Sequence, residues 1–418
     1  MSRPRRAALY VVLPGDIDDP AAPSGGNHYD RRVCDGLTAD FDVHELAFPG
    51  AWPRPGPAAE RALADALDEL PDGADVLLDG LLAGVPDVLV PAARRLRLIV
   101  LVHLPLGDET GLTPEDVATL TERERRTVHA AAAVVATSAA AGRRVAAVHG
   151  LDPAHIHVAA PGVEPAPAAP ASPAGTRLLC VAAVTPRKGH DVLVEALARV
   201  ADLAWECRCV GDLERQPDFA AQVRARAADL GPGRLQLLGT RTGPGLAAAY
   251  AAADLLILPS RAETYGMVVT EALARGVPVL ASQLDGVAEA LGSVEAPGPG
   301  EALGPGEALG PGEALGPGEA LGPGEALGTG AAPGVALSGD AGGAAAARTA
   351  TIATGVAGAQ APGVLVPPGD PAALAAALRE WLTDAGLRQR LRAAAATRRA
   401  ALPGWDVTVR ELTKVVCG

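Results

Sequence analysis

The sequence predicts an α/β protein of two doubly wound parallel-sheet domains facing a cleft, and three observations carry that prediction. Apolar runs of strand length alternate with helix-length segments from residue 7 onward. A Pro- and Ala-rich stretch, residues 161–175, interrupts the alternation, which restarts at Arg177. The segment PSRAETYGMVVTEALARGVPVLAS, Pro259 to Ser282, reads as strand end, loop, helix and next strand. Its polar groups fall at the carboxyl end of a strand, where open α/β sheets bind ligands.

In the first half, strands are expected at 7–13, 43–47, 76–79, 98–103, 134–137 and 155–160, with helices beginning near His28 and at 57–69, 85–96 and 114–132. Ser24-Gly25-Gly26-Asn27 falls between the first strand and helix, and paired glycines there allow close backbone approach to a phosphate or sugar. Asp16 and Asp18 form a D-x-D pair that reads as surface acids. His103 ends the strand LIVLVH and opens toward the cleft, and ERERR, residues 122–126, reads as a solvated helix face. In the second half, a strand from Leu178 leads into Thr185-Pro186-Arg187-Lys188-Gly189-His190 and a helix over 191–200. Two cations on such a strand-to-helix loop make a receptor for a diphosphate. Further strands are expected at 208–211, 236–239 and 255–258, with a helix at 245–253 between the last two.

Glu263 lies in the loop after Leu255-Leu256-Ile257-Leu258; Thr264 is a candidate cap for a helix over 267–275, and Gly266 permits close approach. Glu263 and Glu271 are eight residues apart, roughly 10–12 Å along a helix axis, which suits two contacts on one elongated ligand rather than two groups flanking one bond.

E-x7-E followed by A-x-A-x-G-x-P-V, here Glu263 to Val279, resembles the retaining glycosyltransferases of family 4, which have the GT-B fold. The resemblance implies that Glu263 contacts the donor sugar and Glu271 the nucleotide ribose, with Tyr265, Gly266 and Met267 between them in the donor site. It implies that Arg187 and Lys188 neutralise the departing nucleoside diphosphate, that Gly25 and Gly26 face the donor phosphates, and that His103 hydrogen-bonds a sugar hydroxyl. Ala182-Ala183 departs from the glycine many relatives carry there, and Asp285 replaces the first Gly of a G-G-x-x-E turn ending at Glu289. The resemblance implies a metal-independent retaining transferase with no cofactor, using a nucleotide-sugar donor and an acceptor that the residues leave unidentified. A catalytically silent nucleotide-sugar binder or assembly protein, and a same-fold epimerase or phosphorylase, are the alternatives.

Five tandem copies of Pro-Gly-Glu-Ala-Leu-Gly occupy 299–328, and six residues with two Gly and one Pro sustain neither helix nor core. The expected organisation is a first domain over 1–162, a linker over 163–176, a nucleotide-sugar domain over 177–292 and 363–404 interrupted by a disordered insertion over 293–362, and a terminal helix over 405–418 that crosses back to the first domain.

The formal net charge of −13 argues against nucleic acid as a partner. The five cysteines contain no C-x-x-C, and Cys207 and Cys209 read as small core residues, consistent with a reducing, cytoplasmic setting. The apolar run is only Ala7 to Leu13 and is followed by Pro-Gly and acids, so it reads as the first buried strand rather than a signal peptide's core, and membrane association is not expected.

Overall fold

The computed structural model describes residues 6–19, 23–292, 351–354 and 360–418. Two parallel sheets form two lobes. The first lobe holds β1 (Ala8–Pro14), β2 (Asp42–Phe48), β3 (Asp75–Asp79), β4 (Arg97–Val102), β5 (Ala133–Ala136) and β6 (Ile156–Val158) in the order β2-β1-β3-β4-β5-β6. The second holds β7 (Arg177–Val181), β8 (Glu206–Val210), β9 (Leu235–Leu237), β10 (Leu255–Leu258), β11 (Val279–Ser282), β12 (Thr351–Thr354) and β13 (Gln360–Val366) in the order β12-β13-β11-β10-β7-β8-β9. Strand order reverses beside β1 in one sheet and beside β7 in the other, which opens a crevice at the strands' carboxyl ends.

The central strands are apolar on both faces because helices cover both faces of a parallel sheet. Val11, Val12 and Leu13 of β1 and all of Leu255 to Leu258 in β10 are buried. Each sheet therefore has two core clusters. In the second lobe Leu178, Cys180, Cys207 and Cys209 lie in one with the helix His190–Ala198, while Leu256, Leu258 and Val279 lie in the other with the helix Met267–Leu273. Cys207 and Cys209 are buried core residues, as their alternation on β8 predicts.

The terminal helix Trp405–Cys417 buries Leu412, Val415 and Val416 in the core formed by Leu9, Val11, Tyr29 and Leu37 of the first lobe. Arg97 clamps its end through the carbonyls of Val415 and Val416, both at 2.6 Å. Residues 161–176 run without regular structure but are pinned. Asp254 accepts from the Ser172 amide and hydroxyl at 2.6 Å each and from the Arg177 amide at 3.0 Å.

Three expectations differ from the structure. The helix placed near His28 begins at Gly25, because the Ser24 hydroxyl accepts from the Asn27 amide at 3.0 Å and caps it. Gly25 and Gly26 thus form the first helical turn rather than a loop. The ERERR face is not wholly solvated: Glu124 is fully buried, accepting from the Leu106 amide at 2.9 Å and standing 3.1 Å from His149. The period-3.6 pattern conceals this because the face packs on a neighbouring loop and helix. Most of the expected insertion lies outside the described residues, but its C-terminal end does not. There Thr351–Thr354 pairs antiparallel with β13, Thr351 opposite Leu365 and Ile352 opposite Val364, so regular structure begins before Gly363. The helix Ala139–His149 was not anticipated, since its Ala-rich sequence has little amphipathic contrast.

Trp381, on the helix Pro371–Thr383, is 2% exposed and donates from Nε1 to the Gly175 carbonyl at 2.7 Å. Replacing it with alanine removes a large buried side chain and orphans that carbonyl. Trp381→Ala is expected to lower unfolding free energy by about 3–5 kcal/mol in denaturant titration.

Candidate active site

The carboxyl ends of β1, β4, β7 and β10 face one another across a cleft of about 480 Å³. Gly25, Gly26 and His103 line it from the first lobe; Arg187, Lys188, Glu263, Tyr265, Gly266, Met267 and Glu271 line it from the second. Every residue that the sequence places in a donor site therefore borders this one cavity.

At its centre the Lys188 ammonium donates to Glu263 Oε1 at 2.5 Å, and the same oxygen accepts from the Ser260 hydroxyl at 2.8 Å. Burial would raise the Glu263 carboxyl, but Lys188 and Arg187 outweigh it and hold the group below its ordinary range, ionised at neutral pH. Burial also pushes the Lys188 ammonium down, with Arg187 adding to that and Glu263 opposing it. Anything that brings negative charge against Arg187 and Lys188 relieves their mutual repulsion.

Local backbone geometry brings these groups together. Pro186–Lys188 is a single 3-10 turn ended by Gly189 at φ +69°, which turns the chain into the helix His190–Ala198. A Cβ at Gly189 would stand 2.1 Å from the Pro259 carbonyl oxygen, so the Arg187 loop and the Glu263 loop touch only because residue 189 lacks a side chain. The contact is reinforced by the Arg261 amide on the Arg187 carbonyl at 2.7 Å and by the Arg261 guanidinium on Asp191 at 2.7 and 2.8 Å.

Glu271 sits one turn into its helix, which starts only at Met267, so half of the eight-residue spacing from Glu263 is loop. The Tyr250 hydroxyl donates to Glu271 Oε2 at 2.7 Å, and the Arg275 guanidinium lies 4.6 Å from the Tyr250 ring centre. Tyr250 is fully buried, and its role in aiming Glu271 was not visible in sequence because the two residues lie on different helices. Thr264 does not cap the Met267 helix. Gly266, at φ +85°, occupies the cap position, and the Thr264 carbonyl instead accepts from the Ser138 hydroxyl of the other lobe at 2.6 Å.

The two lobes also meet through Glu289, which the sequence marked only as the end of a turn. Its carboxylate accepts from the Ala139 and Ala140 amides at 2.9 and 2.6 Å and so caps the helix Ala139–His149 of the opposite lobe. Arg187 reaches across the cleft mouth to Glu109 at 3.3 Å. On the first-lobe wall, a Cβ at Gly26 would come within 3.4 Å of the His103 ring.

Two groups among the described residues place possible metal ligands close together: Asp30, Asp79 and His103 beside the cleft, and Cys180, His190 and Cys209 in the second core. Asp18 of the D-x-D pair is bound instead to Arg31 at 2.8 and 3.0 Å on the surface. Among the described residues no helix is long and apolar enough to cross a membrane.

This architecture matches solved structures over nearly its whole length. Anabaena HepE in complex with UDP and glucose superposes with a TM-score of 0.65 at 16% identity, covering 98% of this chain and 99% of that one. Sucrose-phosphate synthase from Thermosynechococcus elongatus superposes with a TM-score of 0.66 at 18% identity, covering 97% and 98%. Both likenesses establish a shared fold, GT-B. Residues 175–301 match the family described as Glycosyl transferases group 1. A D-inositol 3-phosphate glycosyltransferase of Catenulispora acidiphila is 33% identical over 230 residues, covering 50% of this chain and 53% of that protein. One from Pseudarthrobacter chlorophenolicus is 31% identical over 183 residues, covering 40% and 43%. The chain spans about half the length of the curated relatives it matches.

Tyr250→Phe removes the hydroxyl that aims Glu271 while keeping the ring under Arg275. Denaturant titration is expected to show a loss of about 1 kcal/mol of unfolding free energy for the lost buried hydrogen bond. Gly189→Ala is expected to lower the melting temperature, since the Pro259 backbone must give way.

Proposed function

We propose that the protein is a metal-independent, retaining glycosyltransferase that moves a sugar from a nucleotide-activated donor to an acceptor hydroxyl. The observation that carries the reading is the ionised Lys188–Glu263 pair with Arg187 beside it, set in the one cavity that also holds His103 and Glu271. Two cations on a strand-to-helix loop suit a diphosphate, and a carboxylate a few ångströms away suits the hydroxyls of the sugar it carries. Glu271, aimed by Tyr250, suits the ribose. The likeness to glycosyltransferases in fold and in second-lobe sequence supports the same class of donor.

The chemistry follows from the charges. As the bond from the sugar's anomeric carbon to the phosphate oxygen breaks, negative charge grows on the diphosphate, where Arg187 and Lys188 stabilise it. Glu263 Oε1 is engaged by two donors, Lys188 and Ser260, so this carboxylate serves as a hydrogen-bonding anchor rather than a nucleophile. The acceptor oxygen then bonds to the anomeric carbon on the face the diphosphate leaves, and the acceptor proton passes to the departing phosphate oxygen. Configuration is retained without a covalent sugar–enzyme intermediate.

The test is a donor panel of UDP-, GDP-, ADP- and dTDP-sugars, with and without EDTA, read by thermal shift and by nucleoside diphosphate release with candidate acceptors that include inositol phosphates. A donor at about a hundredfold excess over its dissociation constant adds about 2.7 kcal/mol of stability. One nucleotide family is expected to shift the melting temperature in EDTA and to release diphosphate only with acceptor, the product keeping the donor's anomeric configuration by NMR. Binding without transfer across the panel would replace this reading with a silent nucleotide-sugar binder. Lys188→Ala is expected to cut kcat by about a hundredfold or more with the fold intact by circular dichroism; an unchanged rate would remove the diphosphate assignment.

A further inference from the structure

Two strands and a helix of the second lobe bring two thiols and an imidazole together in a part of the core that the cleft does not reach. Cys180 on β7 and Cys209 on β8 stand opposite each other in parallel register, so their side chains emerge on the same face of the sheet. His190 opens the helix His190–Ala198 that packs on this face. Cys180 and His190 are 0% exposed and Cys209 is 2% exposed, and none of the three borders the cleft. One ligand atom from each lies within 4.8 Å of the other two, and Cys180 Sγ is 3.7 Å from His190 Nε2. The Cys180 and Cys209 thiols are in hydrogen-bonding contact with each other.

Thiols are ordinary core residues, but a fully buried imidazole is not. It costs free energy in apolar surroundings unless its nitrogens find strong partners. His190 Nδ1 has no hydrogen-bond partner, and Nε2 meets the Cys180 sulfur, a weak one. An aliphatic side chain, like the Val192 and Leu193 that follow, would fill the core without that cost.

We propose that Cys180, His190 and Cys209 form a structural site for a soft divalent cation, zinc. In a tetrahedral site with Zn–S of about 2.3 Å and Zn–N of about 2.1 Å, the sulfur–nitrogen edge is roughly 3.6 Å. The 3.7 Å contact between Cys180 and His190 already has that length. Cys207 touches Cys209 from the same face of β8 and is the adjacent sulfur for the fourth position, giving the Cys3His set that structural zinc sites use. Thiolate and imidazole ligands select against the hard magnesium and calcium ions. On binding, the coordinating thiols give up their protons to solvent, and the divalent charge offsets the thiolates, which a dry core does not hold uncompensated. The sequence hides the set because its members come from three separate elements and form no C-x-x-C.

His190 directly follows Gly189 and the turn Pro186–Lys188, so an ion here ties the base of the cationic loop to β7 and β8. It would contact neither donor nor acceptor, and the site goes beyond the transfer reading without altering its independence of metal.

Because the site is sealed, the ion enters as the chain folds. The test is therefore the full chain expressed in zinc- or cobalt-supplemented medium and desalted through EDTA. Elemental analysis is expected to find about one metal ion per chain, and the loaded chain is expected to melt at a higher temperature than one expressed under metal depletion. The cobalt form should show the near-ultraviolet thiolate-to-cobalt charge-transfer band and the intense visible bands of a four-coordinate site. Cys180→Ser and Cys209→Ser should lose the charge-transfer band, while Cys417→Ser, which changes the exposed cysteine, should keep it. A wild-type chain carrying no metal, or cobalt bound without a thiolate band, would overturn the proposal, and neither result requires a variant to fold. A thiolate band that survives Cys180→Ser in a folded chain would overturn it as well. Failure of the donor panel would leave the metal result standing, since no nucleotide sugar enters it.

Discussion

The contact between Gly189 and the Pro259 carbonyl is the constraint on which the site depends. It brings the loop after β7 against the loop after β10, and a methyl group at that point would force them apart. With the loops touching, Lys188 lands on Glu263 and Arg261 ties back to Asp191 and to the Arg187 carbonyl. A buried ion pair is costly to assemble, and here Lys188 and Arg187 hold Glu263 ionised.

The second requirement is that the two lobes face each other at a set distance. Polar contacts across the interface, those of Glu289, Ser138 and Arg187 among them, do this without closing the cavity. Glu289 caps a helix of the opposite lobe, Ser138 donates to the Thr264 carbonyl, and Arg187 reaches Glu109. The terminal helix adds an apolar tie by burying Leu412 and Val416 in the first-lobe core. Polar, partly exposed contacts of this kind can exchange for others as lobes move, whereas the buried terminal helix keeps the lobes joined. His103, with Asp30 at 2.8 Å behind it, thereby remains opposite the cationic loop.

Much of the site was legible from sequence because its parts are local. Strand, glycine-containing loop and helix lie within a few residues of one another at Val181 to His190 and at Leu258 to Met267, so the pattern of each is complete within a short span. The helix at Gly25 was read as a loop because a serine cap and a glycine pair look alike in sequence whether they precede a helix or begin it. Glu124 was read as solvated because charge runs on a helix are mostly exposed. Only the packing of the neighbouring loop buries it.

The sequence by itself determined the alternation of elements, the break near residue 161, the cationic loop and the two glutamates, since each is set by periodicity, turn chemistry or charge over short spans. The tertiary structure alone decided which distant groups complete them: Tyr250 on Glu271, Glu289 on a helix of the opposite lobe, and Asp30 with Asp79 behind His103. Those partners lie from 21 to 150 residues away along the chain. Hydrogen bonds act over a few ångströms in space, and no short pattern of residues records which side chains folding will bring that close.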